Sequence, residues 1–217
     1  MSEGSAGRST GHRYGKGRME AFSDGVAAIA ITLLVLELTP PALESGSVWE
    51  GIVEQWPEYL AYLVSFASIG AAWVAHAAVT DHIAEVDSVF FRLNLLFLFF
   101  VSVLPFPTGM IGAYLHDVDA ERVAVSIYGV NLLAISATLS VLWRYAVAEG
   151  LIHGDRPEER VRAVTAKLDP SLAVYALAIA IGVVAPTAAV VLYLAIALFL
   201  LIPFRTFVRH VRGRPER

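Results

Sequence analysis

A hydroxyl and a carboxylate stand at the start of the first long apolar stretch of the chain. Ser23 and Asp24 precede residues 26–36, which are apolar except for one hydroxyl, Thr32. A carboxylate at membrane depth is costly unless it is paired or hydrogen-bonded. Such a group therefore handles protons or cations, or it attaches its helix to the surroundings through hydrogen bonds.

One face of this stretch differs from the rest. At about 100° per residue, four side chains fall in a stripe roughly 100° wide on an α-helix: Ile29, Thr32, Leu33 and Leu36. We call these four residues the stripe. Ser23 and Asp24 project from nearly the opposite side. We expect the stripe to line an ion path and the polar pair to fix the helix to its neighbours; ordinary packing is the alternative for the stripe. Glu37, at one flank, either concentrates cations or is a simple interfacial carboxylate.

No residue pattern indicates catalysis or a bound metal. The chain has no cysteine, which excludes thiolate ligands and nucleophiles. The motifs GxSxG and HExxH do not occur. His76 has no second ligand at metal-binding spacing on its own helix. We therefore expect no enzymatic activity, no cofactor and no metal site.

The composition is that of an integral membrane protein. Of the 217 residues, 57% are hydrophobic and 17% are charged, with a mean hydropathy of +0.63. Soluble domains have about 45–50% apolar and about 25% charged residues. Because backbone polar groups in lipid must be satisfied internally, we predict an all-α membrane protein.

Six transmembrane helices are predicted from apolar stretches near the ~20 residues that a bilayer requires. The first four cover about residues 19–39, 58–80, 88–114 and 123–147, and two short helices follow within 171–204. We expect the third to break at Pro105 and Pro107. Residues 40–56 are predicted to be a loop and residues 148–169 a charged link, and Pro186 divides the last apolar run.

Positive charge predicts the orientation. Basic residues cluster in both tails and in the 148–169 link. With six spans, these three segments lie on the same side of the membrane, and only Arg122 lies on the other side. Both termini are therefore expected to be cytoplasmic. We divide the chain into a disordered cytoplasmic tail (1–17), a six-helix channel domain (18–207) and a basic cytoplasmic tail (208–217).

This topology puts several polar groups at one depth, near the cytoplasmic leaflet. They are Arg18, Ser23 and Asp24 in the first span, Trp73 and His76 in the second, and Asn94 in the third. We expect them to form a buried network that fixes the first helix. A simple helix cap at Ser23 and Asp24 is the alternative.

Several of these residues carry a resemblance to a known family. Arg18-x-x-x-Phe22-Ser23-Asp24 resembles the RxxxFSD signature of the transmembrane protein 175 family of potassium channels. Trp73-x-x-His76, Asn94 and the Pro-Phe-Pro-Thr sequence of residues 105–108 resemble its other recurring elements, in the same order. Six helices match the short, single-repeat bacterial members.

The resemblance implies a homotetramer in which four first helices surround a potassium pore. It places Ile29 at the narrow hydrophobic constriction, with Leu33 and Leu36 as further apolar layers and Thr32 as a hydroxyl ring. Phe22 belongs to the structural motif with the polar network. No TVGYG-type carbonyl filter is present, so we expect only modest selectivity for potassium over sodium.

Two other functions remain open from the sequence. One is a proton- or cation-coupled secondary transporter that uses Asp24 and His76 as a protonation pair. The other is a membrane scaffold or enzyme subunit without transport. The favoured hypothesis is a passive, homotetrameric potassium channel of the cytoplasmic membrane, with lipid and potassium ions as its partners.

Overall fold

A computed structural model describes residues 15–40, 47–114, 117–153 and 158–201. Over these ranges the chain forms helices α1 (Lys16–Leu33), α2 (Val48–Glu54), α3 (Trp56–Thr80), α4 (Ser88–Val103), α5 (Pro105–Tyr114), α6 (Val118–Ala148), α7 (Glu158–Val184) and α8 (Pro186–Leu201). A 3₁₀ turn, Leu34–Glu37, continues α1. No strand occurs in this part of the chain, where one isolated bridge joins Ile83 to Ile152. The predicted tails lie almost entirely outside the described residues.

The helices match the predicted membrane protein. Five segments are long and apolar enough to cross a bilayer: Lys16–Glu37, Trp56–Thr80, Ser88–Tyr114, Asp119–Ala148 and Val164–Val184. The shorter apolar helix α8 provides the sixth. The predicted all-helical membrane fold is confirmed.

The third segment breaks at Pro105, as predicted, but not at Pro107, which lies inside α5. A neighbouring helix compensates for the break. Pro105 has no N–H, and the N–H of Leu104 turns back to the carbonyl of Val101 at 3.3 Å. The Phe100 carbonyl accepts instead from Nδ2 of Asn131 on α6, at 3.0 Å. Asn131 therefore holds α4 and α5 against α6 where the backbone ladder is interrupted.

Two predictions about the connections are wrong. Residues 148–169 are not a link throughout, because α7 begins at Glu158 and contains Pro170 in its interior. Membrane helices tolerate such a proline. Beside it, Ser171 donates to the carbonyl of Leu168 and contacts the hydroxyl of Ser136 on α6, both at 2.6 Å, which joins α7 to α6 at this point. The loop predicted before the second span also contains a short helix, α2.

The two ends of the bundle differ in charge. Lys16, Arg18 and Arg144 lie at one end, which we call the basic end, and Glu37, Glu58 and Glu121 lie at the other, the acidic end. At the basic end, the α3–α4 link meets the α6–α7 link, with the N–H of Ala84 donating to the carbonyl of Leu151 at 2.7 Å. At the acidic end, the N–H of Thr39 donates to Glu58 at the start of α3, at 3.4 Å. Helix α1 therefore begins at the basic end, and α3 begins at the acidic end.

Candidate functional site

Helix α1 has one packed face and one open face. Small and medium side chains are buried toward α3 and α4: Met19, Ser23, Ala27, Ala30 and Leu34. Small residues such as Ala27 and Ala30 let helices approach closely in a membrane. The opposite face of α1 is left without a partner within the described part of the chain.

The stripe lies on this open face. Ile29 is 60% exposed and Leu36 is 71% exposed, and Leu33 and Thr32 are exposed between them. The Thr32 hydroxyl donates to the carbonyl of Ile29 at 2.9 Å. Because its proton is used within α1, the oxygen of Thr32 keeps its lone pairs for a ligand outside the helix.

A buried chain of hydrogen bonds joins α1 to α3 and α4. His76 Nε2 lies 2.6 Å from the amide oxygen of Asn94, and Nδ2 of Asn94 donates to Oγ of Ser23 at 3.0 Å. Ser23 in turn donates to the carbonyl of Met19 at 2.9 Å. The His76 ring stacks on Phe97, with centroids 5.0 Å apart. Each of these three buried side chains makes at least one hydrogen bond, as burial in a low-dielectric interior requires.

A second contact attaches α1 at the surface. Nε1 of Trp73 donates to Oδ1 of Asp24 at 2.8 Å, and both side chains are partly open. Ser23 and Asp24 therefore diverge: Ser23 is buried against α4, whereas Asp24 lies at the flank toward α3. Among the described residues no hydrogen bond links the Asp24–Trp73 pair to the His76–Asn94–Ser23 chain.

Arg18 and Phe22 are not brought into these contacts. Both are exposed, and at about 100° per residue they fall on the same side of α1 as Ile29 and Leu36. Within the described residues neither has a hydrogen bond or ion pair to the other five predicted network members. Their role in a network stays a prediction.

The comparisons with known proteins bear on this arrangement. The sequence model of the family described as "Endosomal/lysosomal potassium channel TMEM175" matches residues 18–105, which include the RxxxFSD sequence, Trp73, His76 and Asn94. A protein of Streptomyces collinus named a potassium channel is 42% identical over 141 residues, which make up 64% of this chain and 68% of that relative. The chain belongs to the TMEM175 family.

A solved structure agrees with the membership in this family. The crystal structure of a lysosomal potassium-selective channel TMEM175 homologue from Chamaesiphon minutus superposes with a TM-score of 0.78 at 37% identity, covering 85% of this chain and 95% of that one. A mouse relative, named an endosomal/lysosomal proton channel, is 38% identical but is covered over only 24% of its length. The resemblance predicted from the motifs is confirmed.

In this TMEM175-family chain, Glu37 does not lie along the stripe. Its carboxylate packs against Gly109 of α5, so closely that a Cβ added to Gly109 would collide with Oε2 of Glu37. Nearby, the Thr39 hydroxyl donates to Glu58 at 3.3 Å, and Glu58 rests on Gly112. This geometry gives Glu37 a contact between helices, which neither of the two alternatives from the sequence included. The available signal for it was a pair of small residues, Gly109 and Gly112, whose i, i+3 spacing puts them on one face of a helix.

Sequence reasoning also missed a hydroxyl cluster in the middle of the bundle. Ser65 of α3 lies 2.7 Å from the Thr108 hydroxyl and 3.0 Å from that of Tyr128. The three residues are buried and come from three different helices, α3, α5 and α6. They hold α5 in place just after the proline break, and no spacing in the sequence predicts their meeting.

The described residues offer no metal centre. No group of three or more His, Asp or Glu side chains comes together in those ranges. His76 in particular is occupied by Asn94 and Phe97.

Proposed function

We propose that four copies of this chain assemble around a central pore and conduct potassium passively across the cytoplasmic membrane. The observation that carries this proposal is the open face of α1 and of the 3₁₀ turn after it, which contains Ile29, Thr32, Leu33 and Leu36. It is exposed along its length, while the opposite face is fastened to α3 and α4. Bacterial relatives that are named potassium channels support potassium as the conducted ion.

The apolar members of the stripe form the constriction in this proposal. Ile29 lies closest to the basic end, and Leu33 and Leu36 follow toward the acidic end. Rings of branched apolar side chains close a narrow pore to ions by excluding water. Opening then requires the constriction to widen or become hydrated.

Thr32 supplies the polar ring. Its proton is held by the Ile29 carbonyl at 2.9 Å, so a hydroxyl oxygen remains to replace part of a potassium ion's hydration. Four hydroxyls are weaker ligands than stacked rings of carbonyls. The selectivity for potassium over sodium is accordingly modest.

The polar network has a structural task in this assembly. The Asp24–Trp73 contact and the His76–Asn94–Ser23 chain attach α1 to its neighbours. They fix the rotation of α1 about its own axis, so that its open face points toward the pore. Arg18 and Phe22 are exposed on the open side, and we assign them to contacts between subunits. The basic end of the bundle faces the cytoplasm, as the distribution of arginines requires.

Ion flux in liposomes containing the purified protein tests the function. Potassium, sodium and proton gradients are imposed separately, and the passive channel predicts faster potassium than sodium flux without a driving co-ion. A scaffold gives no flux. The proton gradient is needed because the vertebrate relatives are named proton channels.

Asp24→Asn separates the channel from the coupled transporter. Asp24 lies off the stripe and accepts from Trp73, and Asp24→Asn weakens this hydrogen bond by removing the carboxylate charge. The channel therefore predicts weaker assembly, measured by size-exclusion chromatography, with conduction retained by the assembled fraction. A transporter predicts normal assembly with loss of coupled flux. The relatives are named channels, and the transporter is not favoured.

A further inference from the structure

The short helix α2 has two faces, and neither is covered within the described chain. Four apolar residues share an arc roughly 140° wide at about 100° per residue: Val48, Trp49, Ile52 and Val53. Glu50 and Glu54 lie on the opposite arc. None of the residues of α2 is buried, and Trp49 is 71% exposed.

Such a helix needs a surface to lie on. Its seven residues include a capping box, in which Ser47 and Glu50 bind each other's backbone N–H groups. Capping alone is not enough, because helices shorter than about 12–15 residues are marginal in water without packing of their apolar face. The apolar arc of α2 must therefore contact something beyond the described residues.

The position of α2 indicates which surface its apolar arc contacts. It lies at the acidic end of the bundle, and Trp56, the first residue of α3, follows directly after it. The exposed apolar surface then continues down α3 through Tyr59, Leu63 and Phe66. These residues recur at helical spacing along a segment that spans the bilayer, so the surface of α2 is continuous with a face of the membrane domain. Tryptophan is enriched where a membrane meets water.

We propose that α2 lies in the headgroup region of the outer leaflet, with Trp49 and Val53 in the acyl boundary and Glu50 and Glu54 in water. The partner is the lipid surface, bound through apolar area. Many interfacial helices use lysine and arginine on their polar face to attract anionic lipid. Residues 38–60 contain neither, so anionic headgroups do not strengthen the contact.

The absence of cysteine from the whole chain permits a direct test. Val53→Cys and Glu54→Cys place a single thiol on opposite arcs of the same turn, and each is labelled with bimane in the full-length protein in phosphatidylcholine vesicles. The Val53 label should show blue-shifted emission, quenching by acyl chains brominated near the headgroup, and protection from aqueous iodide. The matched Glu54 label should be quenched by iodide and not by brominated lipid.

Three results overturn the proposal. Equal quenching of both labels by iodide means that α2 stands in water. A Val53 label that is protected from iodide but not quenched by brominated lipid means that protein, such as a second copy, covers this face. Stronger lipid quenching after addition of phosphatidylglycerol contradicts a contact that depends on apolar area alone. None of these results depends on ion conduction.

Discussion

The amide of Asn94 joins two buried groups that lie on different helices. Its oxygen is 2.6 Å from His76 Nε2, and its nitrogen donates to Ser23 at 3.0 Å. The amide oxygen can only accept, so His76 carries its proton on Nε2. Asn94 thereby orders the hydrogen bonds from α3 through α4 to the backbone of α1.

Replacing Asn94 by leucine should therefore destabilise the protein. The substitution keeps a similar volume but leaves the His76 Nε2–H without an acceptor and Ser23 Oγ without a donor. Buried groups left unsatisfied in this way cost about 1–3 kcal/mol. Thermal unfolding of the purified protein in detergent measures the loss.

Ser102→Ala on the same helix is the matched control. Its exposed hydroxyl donates to the carbonyl of Phe99 within α4 at 2.8 Å, so its removal should hardly change the unfolding temperature. If Asn94→Leu were as mild as Ser102→Ala, the network would not be holding α1.

Ile29→Asn should raise the current. A polar amide in place of a branched apolar side chain hydrates the proposed constriction and lowers the barrier to ions. Recordings in planar bilayers measure the conductance, and size-exclusion chromatography establishes that the variant still assembles. Val35→Asn changes an exposed residue that lies off the stripe, in the 3₁₀ turn that continues α1, and should leave the current near its original value. An unchanged current for Ile29→Asn would remove Ile29 from the pore.

Thr32→Ala should lower the preference for potassium over sodium. The change removes the oxygen that we assign to ion hydration but leaves the apolar layers at Ile29, Leu33 and Leu36. The reversal potential under mixed potassium and sodium solutions measures the preference. Thr32→Ser retains the hydroxyl and should retain most of the selectivity; equal reversal potentials for all three proteins would refute the role of Thr32.

Gly109→Ala should destabilise the acidic end of the bundle. A Cβ at this position collides with Oε2 of Glu37. Because this carboxylate ends a flexible side chain that can turn away, the loss should lie at or below the lower end of the about 1–3 kcal/mol that overpacking costs. Unfolding in detergent measures the effect. Gly17→Ala serves as the control, because nothing lies within 4 Å of its added Cβ.

A second substitution makes this prediction specific to Glu37. Adding Glu37→Ala to Gly109→Ala removes the colliding group and should restore part of the lost stability, giving a favourable coupling in a double-mutant cycle. Strictly additive losses would mean that Gly109 is needed for another reason.

The sequence by itself determined the features that depend on local pattern. Hydropathy identified the membrane segments, and the proline itself identified the break at Pro105. Both features depend on residues close together in the chain. Helical periodicity predicted that Ile29 and Leu36 share one face of the first span, and both are exposed. The RxxxFSD sequence with Trp73, His76 and Asn94 identified the family.

Only the tertiary structure decided which polar groups meet. Asp24 and Trp73 are 49 residues apart, and Ser23 and Asn94 are 71 residues apart. The rotation and depth of each helix against its neighbours choose these partners, and no local pattern encodes either quantity. The same packing separates Ser23 from its neighbour Asp24 and turns Glu37 onto Gly109. Neighbouring residues on a helix point in directions about 100° apart, so their environments are set by whichever helices lie on each side.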